Sequence, residues 1–157
     1  MNTTALLPDR ETTASGAVDN DFLQTMVGYN ARMAALAVIG EILPGLAAFG
    51  LRIVDFSILS VISHNPGITS KQLCGALNLL PPNLVGKIGT LEKRGLLVRH
   101  PHPQDGRALG LQLTAEGRAL MQQAELAVAG LEAQSTQALT TAERRTLIRL
   151  LQKLYLG

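Results

Sequence analysis

Apolar residues along the chain fall into several helical stripes and one alternating stretch. From Asp21 to about Leu43, Phe22, Met26, Val27, Met33, Ala34, Ala37 and Val38 recur at helical spacing and predict one long helix. Asn20 or Asp21 suits its N-cap, and Pro44-Gly45 is expected to end it. Leu51 to Ser63 predicts a second helix with Val54, Ile58, Leu59 and Ile62 inward, broken by His64-Asn65-Pro66-Gly67. A short helical pattern follows, opened by Thr69 and Gln72 at capping-box spacing. The next pattern starts at Pro81-Pro82 and stops at Gly95, with Leu84, Ile88 and Leu91 at i, i+4, i+7. Proline suits a first helical turn, and glycine just past the end permits a left-handed cap. Leu96 to His100 reads as a short strand. From Ala108, Leu109, Leu111 and Leu113 alternate with Gly110 and Gln112, the period of a half-buried strand. Two further helical patterns close the chain. One runs from Thr114 to about Thr136 with Leu120, Ala124, Ala127 and Leu131 on one face. The other is opened by Thr140 and Glu143 and carries Leu147, Leu150, Leu151 and Leu154.

The helix of about Pro82 to Arg94 has an unusual outward face. At about 100° per residue, Pro82, Gly86, Gly89 and Lys93 lie opposite its apolar stripe. Asn83 and Thr90 flank them, and Lys87 and Arg94 sit nearer the edge. Each interior glycine costs a helix about 1 kcal/mol relative to alanine. Outward glycines let a backbone approach another surface closely, plausible for a groove wall; the bland alternative is two neutral surface glycines. Between the two strands, His100-Pro101-His102-Pro103-Gln104-Asp105-Gly106-Arg107 is turn chemistry. A stiff ribbon carrying Arg107 suits a minor groove or a line of phosphates, with Asp105 holding the guanidinium in a fork. Two short helices, a glycine stop and a basic-tipped ribbon are the layout of a winged helix-turn-helix.

The segments LEKRGLLVR, then DGR, then LQLTAEG resemble the MarR-type family of bacterial winged-helix regulators. The matching positions are Leu91, Glu92, Gly95, Leu96, Leu97, Arg99, Asp105, Arg107, Leu113, Thr114 and Gly117. The organisation from about residue 21 to 156 fits that family too. The family often carries a polar or basic residue where this chain has Gly86. The resemblance implies a mainly α fold with a small β-wing, in which terminal helices pair with those of a second subunit. The organisation expected is a flexible arm over 1–20, a dimerisation helix and connector over 21–50, a winged helix-turn-helix over 51–113, and C-terminal helices over 114–157 that complete the dimerisation region.

Composition narrows the function classes. The 157 residues suit one compact domain or a dimer subunit, and 46% hydrophobic content with 3% aromatics calls for an aliphatic core. The formal net charge is only +2, but five basic and two acidic residues between Pro82 and Leu113 place +3 there and −1 elsewhere. A lone cysteine, Cys74, excludes an internal disulfide and reads as a small buried hydrophobe, with a redox sensor as the rival. His64, His100 and His102 lack acidic or cysteine neighbours at ligand spacing, so neither a metal nor another cofactor is expected. Residues 1–20 have no apolar core of a signal peptide. No run of about 18 uninterrupted apolar residues exists, so no membrane span is expected and the protein reads as cytoplasmic.

These readings converge on a homodimeric, sequence-specific regulator, as a repressor, of double-stranded DNA with an inverted-repeat operator. Candidate contacts are Thr69, Ser70 and Lys71 at a helix start, Pro82, Asn83, Gly86, Lys87 and Thr90 on the reading helix, and Arg99, Asp105 and Arg107 on the wing. The resemblance also implies a small aromatic or phenolic effector between the dimer helices and the winged domain. Arg52 could meet a carboxylate there, with Met33, Phe49 and Phe56 lining the site. Core packing is the plainer reading of the apolar three. No nucleophile–base pair, useful carboxylate pair or phosphate loop argues for an enzyme; Gly86 to Gly89 is only G-x-x-G. A winged helix that docks an acidic protein instead of DNA is the remaining alternative.

Overall fold

The computed structural model describes residues 18–102 and 105–156, without the side chains of 102–107. Most of the expected N-terminal arm, and the Asp105–Arg107 fork, therefore lie outside the described residues. The element order is α1 (Asp21–Gln24), α2 (Val27–Ala47), α3 (Ile53–His64), β1 (Ile68–Thr69), α4 (Ser70–Leu77), α5 (Pro81–Lys93), β2 (Leu97–His102), β3 (Asp105–Leu113), α6 (Ala115–Ser135) and α7 (Thr141–Tyr155). The chain divides into two units, one up to Ala34 and one from Ala35 onward.

The first unit differs from the single helix expected there. The chain breaks at Thr25 and Met26, between α1 and α2. Polar side chains satisfy the carbonyls that the break releases: Thr25 Oγ1 donates to Phe22 O at 2.7 Å, and the Asn30 amide donates to Gln24 O and Met26 O. Such short side chains compete with the helical ladder for backbone groups. Asn20 is the N-cap residue of α1 but makes no side-chain cap; its amide donates to Tyr29 Oη instead.

In the second unit α2 continues through Pro44 to Ala47 rather than stopping at the proline. The residues around the proline explain this, because Ile42 and Leu46 are buried in the core and hold the last turn. By length and composition α2 is also apolar enough to cross a membrane, with a mean hydropathy of 1.2. Requiring an uninterrupted apolar run hides this, since Asn30, Arg32, Gly40 and Glu41 punctuate the helix.

The core joins α3, α4, α5, the sheet and α6. Ile58, Leu59 and Ile62 of α3, Leu73 of α4, Leu84, Ile88 and Leu91 of α5, Leu97, Leu111 and Leu113 of the strands, and Met121 and Ala124 of α6 are buried together. The sheet has three strands in the order β1-β3-β2, all neighbours antiparallel. The two-residue β1 was too short to show as a pattern; it is held by pairing Ile68 with Leu111 and Thr69 with Gly110. The ribbon is longer than expected: β2 runs on to His102 and β3 begins at Asp105, with an irregularity between Pro101 and His102. Pro101 is tolerated because β2 is an edge strand. Behind the ribbon, Thr114 caps α6 by accepting from the Gly117 N–H at 2.9 Å.

Candidate nucleic-acid interface

Helix α5 carries the largest share of the candidate site. Leu84, Ile88 and Leu91 are at most 1% exposed, so its apolar stripe is wholly in the core. Proline opens its first turn, and Gly95 follows with φ of +72°, the left-handed cap expected from its position. With the stripe fixed inward, Pro82, Asn83, Gly86 and Thr90 are exposed on the opposite side. A Cβ built on Gly86 or Gly89 would meet nothing within 4 Å. Among the described residues nothing packs against these two glycines. Thr90 Oγ1 donates to Gly86 O at 3.0 Å, so its proton is used within the helix and its oxygen remains an acceptor.

The basic residues divide. Lys71 is exposed at the start of α4. Arg99 is exposed on β2, and its Nε donates to Glu92 Oε2 at 3.1 Å, tying the wing strand to the end of α5. Lys87 is not free: its Nζ donates to Asp55 Oδ1 at 2.8 Å. Arg94 Nη1 donates to Gly50 O at 2.8 Å. Both cations at the edge of α5 therefore turn toward the corner between α2 and α3.

The start of α4 is also partly committed. Thr69 and Gln72 form the expected capping box, with Thr69 N–H donating to Gln72 Oε1 at 2.9 Å and Thr69 Oγ1 accepting from Gln72 N at 3.3 Å. The half-buried Ser70 and the exposed Lys71 follow it in the first turn. The expected effector residues fall in both units. Met33 is an exposed residue of the first unit. In the second unit, Phe49 and Phe56 are half-buried against the core and Arg52 is exposed beside them in sequence at the start of α3.

Two features escaped sequence reasoning. Asp55 is a buried acid in an apolar helix; its place three residues after Arg52 signals a helix-start acid, and its partner lies on another helix. Glu125 of α6 is brought to α3, where it accepts from Ser60 Oγ at 2.7 Å and sits 3.1 Å from His64 Nε2. No local spacing could reveal a carboxylate beside that histidine.

Known proteins carry the same arrangement. Residues 49–108 match the model of the MarR family. Over 114 residues the chain is 32% identical to the HTH-type transcriptional repressor Rv2887 of Mycobacterium tuberculosis, a span of 73% of this chain and 82% of that protein. The chain belongs to the MarR family. Among solved members, the transcriptional repressor CouR bound to a 23-mer DNA duplex is similar with a TM-score of 0.82 and 32% identity, over 88% of this chain and 99% of that one. CouR bound to p-coumaroyl-CoA is similar with a TM-score of 0.77 and 31% identity, over 88% and 97%. Rv2887 in complex with salicylic acid is similar with a TM-score of 0.66 and 30% identity, over 82% and 96%. In this MarR-family chain the matched residues take in α3, β1, α4, α5 and β2 and reach into β3.

Proposed function

We propose that this chain is a homodimeric transcriptional repressor that reads an inverted-repeat operator with α5 and releases it on binding a small aromatic acid or its coenzyme A thioester. The observation that carries this reading is the face of α5: its stripe is fully buried while Asn83, Gly86 and Thr90 stand exposed, with open space over Gly86. A helix so bared can lie deep in a major groove, with Asn83 reading an adenine edge and Thr90 accepting from a base amino group. Ser70 and Lys71 meet phosphate at the start of α4, and Arg99, Asp105 and Arg107 belong to a wing along the backbone or minor groove. The DNA complex of CouR supports the DNA reading. Its p-coumaroyl-CoA complex, with the salicylic acid complex of Rv2887, supports the effector class. In the second unit Arg52 is the candidate for the acid group, and Phe49 and Phe56 for the ring. A regulator of chromosomal DNA works in the cytoplasm and needs no catalytic centre.

Two subunits present two copies of α5 about one turn of DNA apart, so half-site centres are expected about 10 bp apart. Enrichment of genomic fragments on the purified protein, followed by gel shifts across a salt series, tests the reading. Selective binding that loses affinity with salt is expected. Inserting about 5 bp, half a turn, between the half-sites should abolish it. Equal, weak binding to every fragment would instead favour a winged helix that docks an acidic protein.

A further inference from the structure

Asp55 is buried, and the DNA-reading role gives it no task. Its two oxygens are both engaged. Oδ1 accepts from Lys87 Nζ at 2.8 Å, and Oδ2 accepts from the Arg52 backbone N–H at 3.3 Å. The acid's side chain is 12% exposed and that of the lysine 33%. A partly buried pair of this kind holds its geometry far better than one in open solvent, because breaking it leaves a charge without water or partner. Two turns along the same helix, Arg94 reaches the same corner through Gly50 O at 2.8 Å and Phe49 O at 3.5 Å. So α5 is clipped at two points to residues 49–55, and both clips consume a cation beside the exposed face.

We propose that Asp55 is a positioning residue that orients α5 and withholds Lys87 from DNA phosphates, so that the reading face from Pro82 to Thr90 presents no free charge and Lys93 stands beyond it in the last turn. The proposal rests on α5 being the DNA-reading helix. A free lysine at that edge would attract any duplex, since phosphate contacts carry no sequence information. With Lys87 held by the acid, the groove meets Asn83, Gly86, Gly89 and Thr90, and discrimination falls to groups that read base edges. The same contacts tie α5 to the corner formed by residues 49–55.

The test compares the full-length wild type with Asp55→Asn, Lys87→Gln and the double variant, measuring affinity for operator and for random duplex across a salt series. Asparagine keeps the acceptor for the Arg52 N–H but frees Lys87. Asp55→Asn is expected to bind random duplex several-fold tighter and to narrow the operator preference. Its salt dependence should steepen by roughly 0.9 in log–log slope for each phosphate gained, nearly two per dimer. The double variant should return to the wild-type slope. Lys87→Gln alone should lose operator affinity several-fold through a loosened α5, at unchanged slope. A flattened slope in Lys87→Gln would mean that Lys87 already sits on phosphate, and would overturn the proposal; so would a folded Asp55→Asn with the wild-type slope. If Asp55→Asn does not fold, the slope of Lys87→Gln decides alone. A wild type without operator preference would remove the DNA-reading assignment itself, whereas a selective wild type with a flattened Lys87→Gln slope removes only the role of Asp55.

Discussion

Single residues divide between those that fix the fold and those left for a partner, and the glycines show it most clearly. A Cβ on Gly117 would run into the Leu96 carbonyl oxygen, and would lie 2.9 Å from the Leu96 carbonyl carbon. That carbonyl already accepts from Thr114 N at 3.1 Å, so it has no freedom to retreat. Gly117→Ala is therefore expected to destabilise the protein by about 1–3 kcal/mol, the usual cost of overpacking, read as a lower urea midpoint. Gly86→Ala should do the opposite. Nothing stands within 4 Å of its Cβ, and alanine favours the helix by about 1 kcal/mol. Stability is expected to hold or rise in thermal unfolding while operator affinity falls in the gel shift. A variant that gains stability and keeps full affinity would mean that no surface approaches Gly86. The helical spacing already set Gly86 outward, but only the neighbours in space show that Gly117 has no room for a Cβ.

Elements follow their local signals where burial agrees with them and depart where it does not. The stripe of α5 was legible because spacing of i, i+4, i+7 puts three aliphatic side chains on one face, and all three are buried. Ile88→Ala should cost about 2–5 kcal/mol, as for other buried aliphatic truncations, measured by denaturant unfolding. Pro44 is the counter-case: it reads as a stop, yet burial of Ile42 and Leu46 carries α2 past it. At α7 the Thr140–Glu143 box is formed as its spacing indicates, with Glu143 Oε2 accepting from Thr140 N and Oγ1, both at 2.7 Å. Hydrogen bonds from the Thr140 side chain, and then from its backbone, hold the Glu143 carboxyl below its ordinary value of 4.5. Because these bonds favour the ionised form, their contribution is present above the ordinary carboxylate pKa and is lost as pH falls through the lowered one. Protection of the α7 amides, taken relative to their intrinsic exchange rates, is thus expected to fall on acidification below about pH 4.5. Glu143→Gln should remove that pH dependence.

At the scale of the whole molecule, apolar side chains remain uncovered in both units. Phe22 is 75% exposed in the first, and Leu154 is 67% exposed in the second, where Leu147, Ile148, Leu150 and Leu151 extend the bare surface of α7. Contiguous exposed apolar surface of this kind marks an interaction site, and a two-fold dimer is the commonest way to cover it. Leu151→Asp combined with Leu154→Asp is expected to give a folded monomer in sedimentation, with the far-UV circular dichroism kept and operator affinity lost. A variant that stays dimeric would move the interface away from α7. The unfolding midpoint of the wild type should rise with protein concentration, as it does when association stabilises the folded state.

The sequence by itself determined what depends on neighbours a few positions apart: the helical stripes, the capping boxes at Thr69 and Thr140, the left-handed cap at Gly95, and the winged layout. Those are properties of backbone periodicity and of hydrogen bonds that close within one turn. Only the tertiary structure decided that Lys87 turns to Asp55, that Glu125 meets Ser60 and His64, that β1 exists at all, and that α2 outlasts its proline. Each of those depends on groups far apart in the chain, or on burial that local preference cannot register. Charge and packing across space settle them, and no pattern along one segment carries that information.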